Sequence, residues 1–157
     1  MKSGWGLQRR CVALLVMFSV VLGGCVTLSL QDEIAGLMKE GQQFYSEKKY
    51  DAAVDKFLVV ATKDPKYWQA YLWAARSYIA KGGWTDAITN GKKAFELAPK
   101  GQDVIPVFAE ALFGGGSDAL KNGRYPEAIG LFVDYLKLEP SNGKAWLSVG
   151  KAYLGQR

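Results

Sequence analysis

One pattern, used three times, limits what this chain can fold into more than any other feature. The segments YDAAVDKFLVVATKDP, WTDAITNGKKAFELAP and YPEAIGLFVDYLKLEP close on Pro65, Pro99 and Pro140. Each opens on an aromatic residue (Tyr50, Trp84, Tyr125) and carries alanine three residues later (Ala53, Ala87, Ala128). An apolar or small residue follows ten residues after the opening, at Val60, Ala94 and Tyr135. Upstream of each segment lies another apolar stretch at helical spacing, such as Tyr71, Ala74, Ala75 and Tyr78. One helix pair cannot bury its apolar stripe alone. Neighbouring pairs must stack, and roughly three are the minimum.

These registers resemble the tetratricopeptide repeat, whose unit is two antiparallel helices and whose period of about 34 residues matches the step from Pro65 to Pro99. The resemblance implies an all-α solenoid over residues 34–157. Its units fall at about 34–67, 68–101 and 102–140, with a partial unit, one helix without a second, at 141–157. The family's small residue of the first helix falls at Gly41 and Ala75, and the following aromatic at Phe44 and Tyr78. The aromatic of the second helix falls at Phe57 and Phe132, but the second unit has Gly91 there, which predicts a void or a bent helix.

The third unit is longer by seven residues, close to the ~7.2 residues of two helical turns, so its first helix can lengthen by roughly 10 Å with little rotation. The expected element is a continuous helix over residues 103–122, with Asp103 as N-cap and Pro106 in the tolerated first turn. Gly114, Gly115 and Gly116 weaken it by about 1 kcal/mol each relative to alanine, so a break there is the alternative.

In such solenoids the first helices line a concave face. The family's ligand-contacting positions, the fifth, ninth and twelfth of that helix, correspond to Met38, Gln42 and Tyr45, then Leu72, Arg76 and Ile79. The longer third unit allows two registers: Pro106, Glu110 and Phe113, or Phe113, Ser117 and Leu120. The implied groove is apolar with isolated polar groups and suits a protein or peptide segment with apolar anchors. Met38, Gln42 and Arg76 do not reproduce the Lys/Asn clamp with which some members hold acidic C-terminal peptides. Trp68 and Trp73 are candidate surface anchors, whereas Tyr71 and Tyr78 read as core. Ala145, Val149, Ala152 and Tyr153 are the apolar side chains that a further helix, another copy or a partner is expected to cover.

Residues 1–24 read as an address. Residues 1–10 hold Lys2, Arg9 and Arg10 with no acid, and residues 11–22 are uncharged and apolar. That is the pattern of a secretory signal, and the run falls short of the roughly 20 residues a spanning helix needs. Leu22-Gly23-Gly24-Cys25 resembles the bacterial lipobox, which implies cleavage before Cys25 and lipidation of its thiol and new amino terminus. Two or three acyl chains anchor stably where one does not. Val26, in place of the aspartate that often retains lipoproteins in the inner membrane, points to the outer membrane facing the periplasm. Residues 25–33 form the lipidated cysteine and a short tether, and Ser29 with Asp32 suggests a capping box for the first helix.

Composition narrows the function. Lys2, Arg9 and Arg10 are three of the 20 basic residues, so the remainder holds 17 basic and 15 acidic residues, spread along the chain. No basic stripe marks a nucleic-acid partner. The chain has no histidine, and only Cys25 of its two cysteines follows the address segment. No metal cluster, cofactor motif or catalytic constellation is legible, and the triple glycine lacks the Lys-Ser/Thr of a phosphate loop. The expectation is a non-catalytic scaffold in a bacterial envelope assembly, of the kind that serves secretion, pilus or outer-membrane complexes. The alternative is a cell-wall or polysaccharide-binding adaptor.

Overall fold

The computed structural model describes residues 30–157. The address segment, Cys25 and the capping residue Ser29 lie outside the described residues. Helix α1 covers residues 30–46, and Leu37–Arg157 form one compact unit. The unit continues with α2 (Tyr50–Lys63), α3 (Trp68–Lys81), α4 (Trp84–Leu97), α5 (Val104–Lys121), α6 (Tyr125–Leu138) and α7 (Gly143–Gly155). No strand occurs among the described residues, and no described helix is long and apolar enough to cross a membrane.

Local chemistry sets the ends of these helices. Helices α2, α4 and α6 stop at Asp64, Ala98 and Glu139, whose φ values are −133°, −145° and −130°. Each precedes a proline, whose ring pushes the preceding residue out of the helical region. The intervening helices end instead on left-handed residues: Lys48 (φ 60°), Gly82 (φ 76°) and Gly123 (φ 72°). Among α2 to α7, Asn142 alone caps a helix start with its side chain, accepting from the Ala145 amide at 3.1 Å while donating to the Tyr135 hydroxyl at 2.7 Å.

From α2 onward each helix packs on the next in sequence, and α3, α5 and α7 also touch one another in series. The first helices of successive units therefore form one continuous face. The core runs between the layers. One cluster joins Leu72, Ala75, Ala94, Val104 and Val107, and a larger one joins α5, α6 and α7 around Leu112, Phe132 and Leu136.

The triple glycine does not break α5. A methyl carbon built on Gly114 would overlap the Trp84 ring, one on Gly115 would lie 2.9 Å from Ile88, and one on Gly116 3.0 Å from Phe132. Glycine here permits helix contacts closer than any side chain allows, and packing offsets its low helix propensity. Of the seven extra residues, four lengthen the helix, since α5 has 18 residues against 14 in α3, and the rest extend the flanking loops.

Two expectations are corrected. Asp103 precedes α5 but makes no capping bond, because at φ 61° its carboxylate turns away to Arg76. Nor does Gly91 leave a void or bend α4. Phe108 of the following unit fills the space, 3.1 Å from where the glycine's methyl carbon would stand, with Phe95 packed on it at 5.8 Å.

Candidate functional site

The face made by the first helices carries a groove centred on Trp73. This indole lies beside Phe57, stacked at 5.9 Å, and meets Tyr45 edge-on at 5.5 Å. The Arg76 guanidinium, one turn along α3, sits 4.9 Å from the same ring. Its Nη2 donates to Asp103 Oδ2 at 2.8 Å. Arg76 is thus held in a fixed orientation between an aromatic face and a carboxylate, the geometry to which its planar group is suited. The pair is partly exposed, so its worth is positioning more than stability.

Three adjoining hollows follow. The first, of about 330 Å³, is lined by Tyr45, Trp73, Arg76, Asp103, Pro106, Val107 and Glu110. The second, of about 260 Å³, lies between Tyr45, Arg76, Ile79, Ala80 and Glu110. The third, of about 390 Å³, extends through Pro106, Ala109, Glu110 and Phe113 to Tyr135, Glu139, Asn142 and Lys144. Glu110 borders all three and is exposed, so the groove passes over it from α1 to α7.

The structure sorts the predicted groove residues. Tyr45, Arg76, Ile79, Glu110 and Phe113 line the hollows, and Gln42 is exposed but borders none of them. Met38 and Leu72 are 7% and 5% exposed, so they lie beneath the surface as core. For Leu72 the reason is that α5 packs on α3 there, with Val104 and Val107 against it. Pro106 lines the groove, whereas Ser117 and Leu120 do not, so the first of the two registers describes this face. Trp73 is a half-buried centre of the site and Trp68 packs on the core cluster of Leu72, so neither is a free surface anchor. Tyr71 and Tyr78 are half-buried at the edge of the core.

The predicted association end also changes. Ala145, Val149 and Ala152 are buried at 0%, 8% and 0% exposure against α5 and α6, and only Tyr153 is open. Sequence reasoning missed Asp103, Tyr135 and Lys144 as groove residues. The first comes from a loop whose left-handed residue no pattern announced, and the others border a hollow that exists only once α6 and α7 are packed. It also missed a separate cleft of about 250 Å³, between Gly82–Asp86 and Asp118–Glu127. Arg124 occupies that cleft's acidic wall, bonding Asp118 at 2.5 Å and Glu127 at 2.9 Å. Among the described residues no group of three or more His, Cys, Asp and Glu side chains is placed to hold a metal ion.

Residues 113–157 match the family model of the tetratricopeptide repeat. Solved structures extend the likeness across the unit. The N-terminal domain of stress-induced protein-1 from C. elegans superposes with a TM-score of 0.59 at 17% identity, over 79% of this chain and 97% of that one. The Arabidopsis OM64 TPR domain gives 0.52 at 19% identity, over 78% and 96%. The C-terminal part of a TPR repeat-containing protein from Cytophaga hutchinsonii gives 0.58 at 26% identity, over 74% of this chain and 46% of that one. No curated protein matches the chain. The described residues have the tetratricopeptide-repeat fold.

Proposed function

We propose that this chain is a non-catalytic scaffold that holds a segment of a partner protein in the groove between Tyr45 and Lys144. The observation that carries the reading is the convergence of three hollows on exposed Glu110, beside an Arg76 already oriented by Trp73 and Asp103. Such a face offers apolar anchoring sites with a few placed polar groups. Two similar structures are complexes of this kind. The second TPR domain of human RPAP3 holds an HSP70 peptide, and the first TPR of Spaghetti holds an HSP90 peptide. Those peptides end in acidic residues (EEVD), whereas here the principal cation of the groove is already paired with Asp103 and Glu110 stands beside it. The segment recognised here therefore differs in charge.

The lipobox-like Leu22-Gly23-Gly24-Cys25 supports a place in a bacterial envelope, lipid-anchored at Cys25 and facing the periplasm, within a secretion, pilus or outer-membrane assembly. Within this groove the carbohydrate alternative is less favoured. A sugar stacks on an open aromatic face, and the Trp73 ring already carries Phe57 and Arg76.

Two measurements test the reading. A photo-crosslinking residue at position 110 should capture a discrete protein in cells, while the same residue at Thr89, exposed on α4, should not. Equal capture at both positions would refute the groove as the site. Cys25→Ser should abolish labelling by palmitate and release the chain from membranes. A variant that stays membrane-bound would overturn the anchor.

A further inference from the structure

Charge in the groove is nearly balanced, and the imbalance falls at one place. The charged side chains lining the three hollows are Arg76, Asp103, Glu110, Glu139 and Lys144. Arg76 and Asp103 cancel as an ion pair at 2.8 Å. Glu139 and Lys144 border the same third hollow and offset each other's charge there. Glu110 is left over.

The other glutamates show how unusual this is. Glu40, Glu47, Glu96 and Glu127 each lie within ion-pair distance of a lysine or arginine. Among the described residues Glu110 and Glu139 have no such partner, and both border the third hollow. The openness of Glu110 is no effect of a chain end. It stands on α5, which packs against α3 on one side and α7 on the other.

A carboxylate beside apolar side chains keeps its water while the groove is empty. An apolar or acidic segment laid over it would strip that water and return nothing, whereas a cation restores the balance. On the reading that this groove holds a partner segment, we propose that the segment carries one lysine or arginine whose charge enters the third hollow between Glu110 and Glu139. Its stem lies along Pro106, Phe113 and Tyr135 while the head reaches the carboxylates. The first hollow takes an apolar residue of the same segment beside Tyr45 and Pro106, because Arg76 borders that hollow and repels a cation. Lys144 limits the third hollow to a single positive charge.

The full chain in detergent, panned against a random displayed-peptide library, tests this. Photoreactive copies of the selected peptides map where each one sits. Wild type should enrich peptides with one lysine or arginine near apolar residues, crosslinking to the groove. Glu110→Gln, at an exposed site, should keep wild-type helix content and weaken a selected peptide by about five-fold. Added salt should weaken the wild type more than this variant. Glu110→Lys should reverse the preference and enrich aspartate or glutamate at the same place. Glu96→Lys, exposed on α4, should leave the preference basic. Groove-bound peptides with no preference for a cation, or an unchanged basic preference in Glu110→Lys, would overturn the cation site and leave the groove standing. Peptides that crosslink elsewhere, or no enrichment at all, would overturn the groove reading and this proposal with it.

Discussion

The first and third units solve one packing problem in one way, and the second unit solves it in another. In the first, a glycine of the leading helix receives a phenylalanine of the following helix, with Gly41 lying under a fully buried Phe57. Gly116 and Phe132 repeat this in the third. In the second unit both partners are small, Ala75 and Gly91, and the ring is lent by Phe108 from the next unit. The knob is thus a property of the space and not of one sequence position. The contrast makes the second unit depend on its neighbour, while the outer two each carry their own ring.

The largest effect should come from removing a unit's own ring. Phe57→Ala or Phe132→Ala, each at 0% exposure, should destabilise by about 3–5 kcal/mol in urea unfolding followed by circular dichroism. Phe108→Ala should cost less, about 2 kcal/mol, because Phe108 is only half-buried. Equal losses at all three would erase the distinction between owned and borrowed rings. A sharper version restores the usual arrangement. Gly91→Phe alone should overpack against Phe108 and cost about 1–3 kcal/mol. Combined with Phe108→Ala it should cost less than the two single changes together, and strict additivity would mean that the rings do not share one space.

The turns between paired helices give a smaller contrast of the same kind. Gly82 and Gly123 take the left-handed conformation without steric cost, whereas the first unit places Lys48 there at φ 60°. Lys48→Gly should raise stability by about 1 kcal/mol, measured by the same urea titration. A decrease would show that the lysine side chain contributes something the geometry does not reveal.

Much of this was legible because the repeat enforces it. The alanine and proline registers foretold the helix ends at Asp64, Ala98 and Glu139, since residues before proline leave the helix for a local steric reason. The same logic placed Tyr45, Arg76, Ile79, Glu110 and Phe113 on one face. Local rules failed where packing decided. Gly91, read as a void, is a seat for the Phe108 ring of the following unit. Asp103 has the chemistry of a cap and instead serves Arg76 on the preceding first helix. Met38 and Leu72 have groove positions by count, yet both are buried. Periodicity assigns a face to a residue but not its depth, which depends on how closely the next helix approaches.

The smallest predicted effect concerns the seam between the first and second units. Lys81 on α3 bonds the Asp51 carboxylate on α2, and that hydrogen bond, outweighing the opposing effect of burial, raises the lysine above its usual 10.5. Tyr78, one turn earlier, is raised above 10.0, first by burial and then by the charge of Asp86. Both groups bind protons more tightly folded than unfolded. Their contributions are therefore complete below the unfolded values and fade as pH rises through the higher folded ones. Thermal unfolding should accordingly show a falling midpoint above about pH 10, with no matching change near neutrality. Asp51→Asn should flatten part of that alkaline limb by removing the charge that holds Lys81, and leave the part due to Tyr78. The Lys81 ammonium is exposed to solvent, so salt should weaken the difference between the two proteins. If the alkaline limbs of the two coincide at low ionic strength, the bond to Asp51 does not hold the seam, and the units are joined there by apolar packing alone.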